Sequence, residues 1–205
     1  MKLDTVHDVQ QAYRRLVTAT SFPGRIVDIG AEAAKVDLDS DLPRPFLLLA
    51  IMLLDAEVGF FIASERADTH ARLLSQLTYS RTSPAEGAAF LFLAQDAWAA
   101  APAAIDRAPV GTLVDPHRGA TIVLEVADLR SPPVASGDTH SLVLTGPGIE
   151  TDTTILVDGP DGWVEARARK NAEFPLGIDF ILVTAEGRMA SLPRTTQLEV
   201  SEWAT

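Results

Sequence analysis

The chain has no cysteine, which removes disulfides, thiolate metal sites, iron–sulfur clusters and cysteine nucleophiles together. Lysine is nearly absent as well, with Lys2, Lys35 and Lys170 alone. An internal imine to pyridoxal phosphate needs a lysine amine inside a cleft. Lys2 lies at a terminus, Lys35 in a polar stretch rich in Asp and Glu, and Lys170 at the end of a polar helix, so no such cofactor is expected. Positive charge is short overall: 17 Lys and Arg face 28 Asp and Glu, a formal net charge of −11. Nucleic-acid backbones require clustered cations, so no nucleic-acid partner is expected, although a local cationic pocket could still take a nucleotide-sized anion. Long apolar runs are missing too. The longest, Phe46 to Leu54, falls well short of the roughly 20 residues of a membrane-spanning helix. The N-terminus, interrupted by His7-Asp8 and Gln10-Gln11, does not read as a signal peptide, and cytoplasmic residence is expected.

What is present is ordinary globular composition, 47% hydrophobic and 22% charged residues over 205, which suits a single domain over 1–205. Val6, Val9, Tyr13, Leu16, Val17 and Thr20 recur at helical spacing, with Thr5 available as a cap and Phe22-Pro23-Gly24 as a stop. Arg25-Ile26-Val27 then starts a strand. Pro43 or Pro45 suits the first turn of an apolar helix ending near Leu54, and Val58 to Ile62 reads as a buried strand. A helix follows from Ala67 to Leu77, then an apolar segment, Ala88 to Leu93. Gly119 to Val126 and Ser141 to Leu144 read as two strands forming a hairpin around the Ser/Pro/Gly-rich connection from Ser131 to Gly137. Asp161 to Ala172 suits an exposed helix. Ile178 to Thr184 and Met189 to Leu192 pair around Ala185-Glu186-Gly187-Arg188. The expected fold is therefore α/β, a mixed sheet with helices on both faces.

Asp179 stands at the mouth of a strand apolar on both sides, where a carboxylate is costly unless paired. Arg194, at the exit of the neighbouring strand, can supply a bidentate partner, and Thr195 and Thr196 add hydroxyls. This is either a tie between strand ends or a set of donors for an anion. Gly146 and Gly148, in TGPG, read as a strand-ending turn or an anion cradle in which Pro147 removes one donor. Arg14 and Arg15 are solvated helix charges or cleft residues. His117, beside Asp115 and Arg118, could be a loop acid. His7, His70, His117 and His140 show no close metal-ligand spacing, and no metal is expected.

Six segments, in this order, resemble the H subunit of bacterial phosphonate carbon–phosphorus lyase systems: AYRRLVTATSFPG (12–24), LLAIMLLDAEVGFF (48–61), GTLVDPHRGATIVLEVADL (111–129), LVLTGPGI (142–149), FPLGID (174–179) and LPRTT (192–196). The resemblance runs from about Val9 to Val200, and FPLGID followed by LPRTT is its most specific part. It implies a three-layer α/β/α fold like that of pyridoxal-phosphate-dependent transferases without the cofactor. It also implies a homodimeric, cytoplasmic subunit working with the G, I and J subunits. Acting with G, I and the ATPase-like L subunit, the family is thought to join an alkylphosphonate to the ribose of ATP and release adenine. The J subunit's radical step would then follow. In that setting Arg194, Thr195, Thr196 and Asp179 would surround an anionic phosphonate or triphosphate oxygen. The alternatives are an assembly subunit with no substrate site and an independent small-anion-binding protein.

Overall fold

The computed structural model describes residues 2–132 and 140–201. The first helix, α1 (His7–Ser21), begins where the Asp4 carboxylate accepts the backbone N–H groups of Val6 and His7 at 2.8 and 2.9 Å. Asp4, rather than Thr5, is thus the capping side chain. The buried face of α1 is Asp8, Ala12, Leu16 and Ala19, so the apolar stripe read from the sequence is rotated. Tyr13 is 51% exposed, and Val6 and Val17 also face outward. The physical reason is that Ala12 and Ala19 let the helix lie close to the sheet, while Asp8 is satisfied by Lys35 Nζ at 2.6 Å.

From there the chain runs through β1 (Val27–Asp28), α2 (Gly30–Ala33), α3 (Arg44–Leu53), β2 (Gly59–Ala63), α4 (Ala67–Thr78), β3 (Arg81–Thr82), β4 (Phe90–Leu93), α5 (Ala101–Arg107) and β5 (Thr121–Glu125). It continues through β6 (Asp128–Arg130), β7 (His140–Thr145), β8 (Thr153–Asp158), α6 (Trp163–Lys170), β9 (Asp179–Val183), β10 (Arg188–Leu192) and β11 (Gln197–Ser201). Seven strands form one mixed sheet in the order β1-β10-β9-β5-β4-β2-β3. The run from β9 to β3 is parallel, and toward the other edge β10 alone is reversed, antiparallel to both β9 and the edge strand β1.

The central strands are apolar on both sides, so both faces are covered. Phe92, Val123, Ile181 and Val183 point into a core shared with Leu16, Leu47, Leu48 and Leu74 from α1, α3 and α4. Leu91, Leu93, Ile122, Leu124, Phe180 and Leu182 point the other way, onto α5, α6 and the second sheet. Aromatic contacts stitch each side: Phe46 meets Phe92 edge-on at 5.3 Å, and Trp163 meets Phe180 at 5.5 Å. Each such fully buried side chain contributes about 1.5–3 kcal/mol. No helix among the described residues is long and apolar enough to cross a membrane.

Three expectations need correction. The segments 119–126 and 141–144 are not a hairpin: β5 lies inside the large sheet, whereas β7 lies in a second, antiparallel sheet of order β11-β7-β8-β6. β5 must be central because Ile122, Val123 and Leu124 are all fully buried, while β7 turns chiefly Leu142 and Leu144 inward. Part of the connection expected at Ser131–Gly137 lies outside the described residues, as does the side chain of His140. A second sheet is itself unexpected, since the sequence reads as a single mixed sheet. Finally, the helix expected to be exposed, α6, buries Trp163, Val164, Ala166 and Arg167, because Trp163 fills the space under Phe180.

Candidate functional site

At the amino edge of the parallel strands, Asp179 and Arg194 meet. The guanidinium donates from Nη2 to Asp179 Oδ2 at 2.6 Å and from Nε to the same carboxylate at 3.2–3.3 Å, and the backbone N–H of Arg194 donates to Oδ1 at 2.7 Å. Arg194 Nη1 donates to the carbonyl of Pro116 at 2.7 Å. GTLVDPHRG, FPLGID and LPRTT, far apart in the chain, are thus joined by one side chain. The fit is close enough that a Cβ on Gly119 would collide with the carbonyl of Gly177 and the Arg194 guanidinium. From the other side Arg167 Nη2 donates to the carbonyls of Pro193 and Thr196 at 2.7 and 3.0 Å. Burial lowers the Arg167 pKa to about 10 against the opposing pull of the Asp179 charge. Thr196 is buried and Thr195 partly so.

The remaining expected residues are dispersed. Gly146 and Gly148, both at positive φ, close the turn between β7 and β8, and the N–H of Ile149 donates back to the carbonyl of Gly146 at 3.1 Å. Arg15 is bound to the carbonyl of Asp28 and, at 3.0 Å, to Glu32, while Arg14 is exposed. His117 is exposed in the short turn Pro116–Arg118. Lys35 is bonded to Asp8, and Lys170 donates to the carbonyl of Asp106 at 3.0 Å. Among the described residues no group of His, Asp and Glu is arranged to hold a metal ion.

The opposite, carboxyl edge holds a constellation that the sequence reading passed over. β2 leads through α4 to β3 at one edge, whereas β4 leads through α5 to β5 on the other side, and α4 and α5 cover opposite faces. The gap between the carboxyl ends of β2 and β4 is therefore a topological switch point, where open α/β sheets leave a crevice for ligands. Ser64 follows β2 directly, His70 sits one turn into α4, Gln95 and Asp96 follow β4, and Glu125 ends β5. A cleft of about 330 Å³ opens here, walled by Leu42, Pro43 and the side chains of Asp41, His70, Asp96 and Glu125. It adjoins a cavity of about 670 Å³ that shares Asp41 and His70 and carries Arg66 and Arg72.

His70, only 2% exposed, is held at both nitrogens, by Ser64 Oγ on Nδ1 at 2.8 Å and Asp41 Oδ1 on Nε2 at 2.7 Å. An ionised carboxylate only accepts, so Nε2 carries a proton toward Asp41, and the Ser64 hydroxyl is the partner of Nδ1. Arg66 donates to Asp41 Oδ2 at 2.9 Å. With these donors, led by His70, the Asp41 pKa is lowered to about 2, and its carboxylate stays charged. Ser64 lines neither cavity, so the chain Ser64–His70–Asp41 fixes the carboxylate rather than presenting a nucleophile. Glu125 behaves oppositely. At 6% exposure it receives the N–H of Gln95 at 3.0 Å on Oε2. Burial raises its pKa above the ordinary value, with the Asp96 charge adding to the effect against the Gln95 bond.

The signal for this cleft in the sequence was faint. Asp41, His70 and Glu125 are separated by long intervals, and the strand order alone brings them together. The one legible hint was the alternation of the strand Val58–Ile62, the helix Ala67–Leu77 and the apolar segment Ala88–Leu93, a pattern that leaves a crevice at strand ends without saying which residues fill it.

Residues 2–199 match the family described as bacterial phosphonate metabolism protein (PhnH). The chain is 35% identical over 198 residues to a C–P lyase subunit protein, HtxG, of Stutzerimonas stutzeri, covering 93% of this chain and 86% of the relative. It is 28% identical over 199 residues to the alpha-D-ribose 1-methylphosphonate 5-triphosphate synthase subunit PhnH of Rhizobium meliloti, covering 96% and 92%. With a match that runs through α1, both sheets and the Asp179–Arg194 tie, the chain belongs to the PhnH family of bacterial phosphonate metabolism proteins.

Proposed function

We propose that this chain is a non-autonomous, cytoplasmic subunit of a carbon–phosphorus lyase complex. In this reading it acts with the G, I and L subunits to transfer the ribose triphosphate of ATP to an alkylphosphonate with release of adenine, and it associates as a homodimer and with G, I and J. The observation that carries the reading is the family match over residues 2–199, together with relatives named as subunits of a C–P lyase and of a ribose methylphosphonate triphosphate synthase. Exposed apolar side chains support a life in an assembly: Leu113 and Val114, 73% and 87% exposed, stand side by side on one loop, and Tyr13 and Val17 lie along α1 with Val6 just before it.

Such a transfer needs an oriented phosphonate oxygen, stabilisation of charge developing on the ribose and protonation of the departing base. The switch-point cleft has the position and chemistry to meet substrate. The Asp179–Arg194 cluster, whose donors hold three chain segments together, suits the supporting frame, with Thr195, only partly buried, the part of it left for an anion and Thr196 closed inside it. The test is reconstitution of ATP-dependent transfer with and without this chain. Product formation should require it. Full transfer in its absence would overturn the reading.

A further inference from the structure

We infer that residues 37–41, between α2 and α3, form a strap across the crevice at the carboxyl ends of β2 and β4, and that the Asp41–His70 bond is the latch that keeps it shut and holds the two cavities apart. The inference concerns how the crevice opens, whatever ligand it takes, and does not rest on the proposed transfer.

The strap is the wall of the crevice least tied to the fold. Asp39, Ser40 and Asp41 line the larger cavity, and Asp41 with Leu42 and Pro43 lines the smaller one. The facing wall is built on α4 and on the ends of β4 and β5. Residues 37–41 lie in no helix or strand, and among the described residues none of their main-chain groups bonds to main chain elsewhere. Val36 and Leu42 are buried in the core at either end and act as pivots, and Leu38 packs partly against the same core. Asp37, Asp39 and Asp41 are exposed. A segment with few main-chain bonds, held chiefly at its two ends, opens at lower free energy than the helices and strands beside it.

One side chain closes it. Asp41 is, among the described residues, the strap's single polar link to the opposite wall. Its Oδ2 meets Arg66 at 2.9 Å, but both groups are at least half exposed there, and such a pair contributes little. Its Oδ1 meets His70 Nε2 at 2.7 Å. His70 is buried, and Ser64 Oγ on Nδ1 sets the orientation of its ring, so this bond fastens the strap to a fixed post. Asp41 and His70 are also the two residues common to both cavities. The bond therefore stands where the spaces meet, and breaking it joins about 330 and 670 Å³ into one crevice.

The test is amide hydrogen exchange of the full chain read by peptide mass spectrometry, with thermal unfolding of each variant alongside. Asp41→Ala should speed exchange of peptides covering 37–42 about tenfold or more, as expected for loss of a bond to a charged group, and leave α4, β4 and β5 protected. Arg66→Ala should speed it by less than about fivefold, as for an exposed pair. Ser64→Ala, which lines neither cavity, should speed it about threefold, because His70 loses the partner that orients its ring. Carbodiimide labelling of Glu125, buried against the smaller cleft, should rise in Asp41→Ala. Strap exchange as slow in Asp41→Ala as in the parent, or a rise shared equally by α4, would overturn the latch. An Arg66→Ala effect as large as that of Asp41→Ala would overturn the part given to His70. Faster exchange with Glu125 no more reactive would overturn the joining of the cavities. All are read on the chain alone, so they are separate from any result of the transfer assay.

Discussion

The tie between Asp179 and Arg194 permits a quantitative test. In this pair the Arg194 side chain is 16% exposed and the Asp179 side chain 32%, so both charges are largely withdrawn from water. Removing one partner of a fully buried pair costs about 3–5 kcal/mol, chiefly from the stranded charge. Here Asp179 keeps some solvent and the Arg194 backbone N–H at 2.7 Å, so Arg194→Met should cost about 2 kcal/mol. Asp179→Asn should cost about 3 kcal/mol, because it removes the charge opposite the guanidinium and leaves one amide oxygen to accept where two carboxylate oxygens did. In the double variant no charge is stranded, so the loss should be about 3 kcal/mol rather than the sum, a coupling of about 2 kcal/mol. For a chain of this size the single changes lower Tm by about 4–12 °C. Urea unfolding followed by circular dichroism of the four proteins gives the cycle directly. Additive losses, or an Arg194→Met variant as stable as the parent, would refute the structural assignment. Arg194→Lys then separates stability from function: unchanged unfolding with weakened transfer in the reconstituted complex would instead place an anion on the guanidinium fork.

Glu125→Gln should change the pH dependence of stability. A carboxyl whose folded pKa is raised contributes stability below its unfolded pKa and loses it as pH rises through the folded value. The variant's Tm should therefore gain on the parent between mildly acidic and alkaline pH, and parallel Tm curves would contradict the burial argument. Asp41, lowered to about 2, has the opposite sign. Its contribution is present above the ordinary carboxylate pKa and fades as pH falls toward 2, so Asp41→Asn should flatten the acid limb of the unfolding curve. Tyr79 closes α4 in the left-handed region at φ 61° and is 80% exposed, so Tyr79→Gly should stabilise by about 1 kcal/mol in chemical denaturation. A loss of stability would mean that the ring makes contacts worth more than the strain. Gly119→Ala, which drives a methyl into Gly177 and Arg194, should destabilise by about 1–3 kcal/mol. An unaffected Tm would show that the 111–119 and 174–179 segments can separate.

What the sequence by itself determined follows from local physics. Period and punctuation placed α1, α3, α4, β2 and β9, since proline, glycine and apolar spacing act within a few residues. The apolar run on both sides of Asp179 announced a strand buried on both faces, and the need to satisfy its carboxylate pointed to Arg194 just past the next strand. Tertiary structure decided the rest. Segments 119–126 and 141–144 look alike as short apolar strands, and only the demand to bury every side of β5 sends it to the centre of the large sheet while β7 starts another. The rotation of α1, which leaves Tyr13 outside, depends on how closely Ala12 and Ala19 approach the sheet. Asp41, His70 and Glu125 meet because the chain reverses its direction of winding between β2 and β4. That reversal is set by helices packing on opposite faces, and no spacing along the sequence records it.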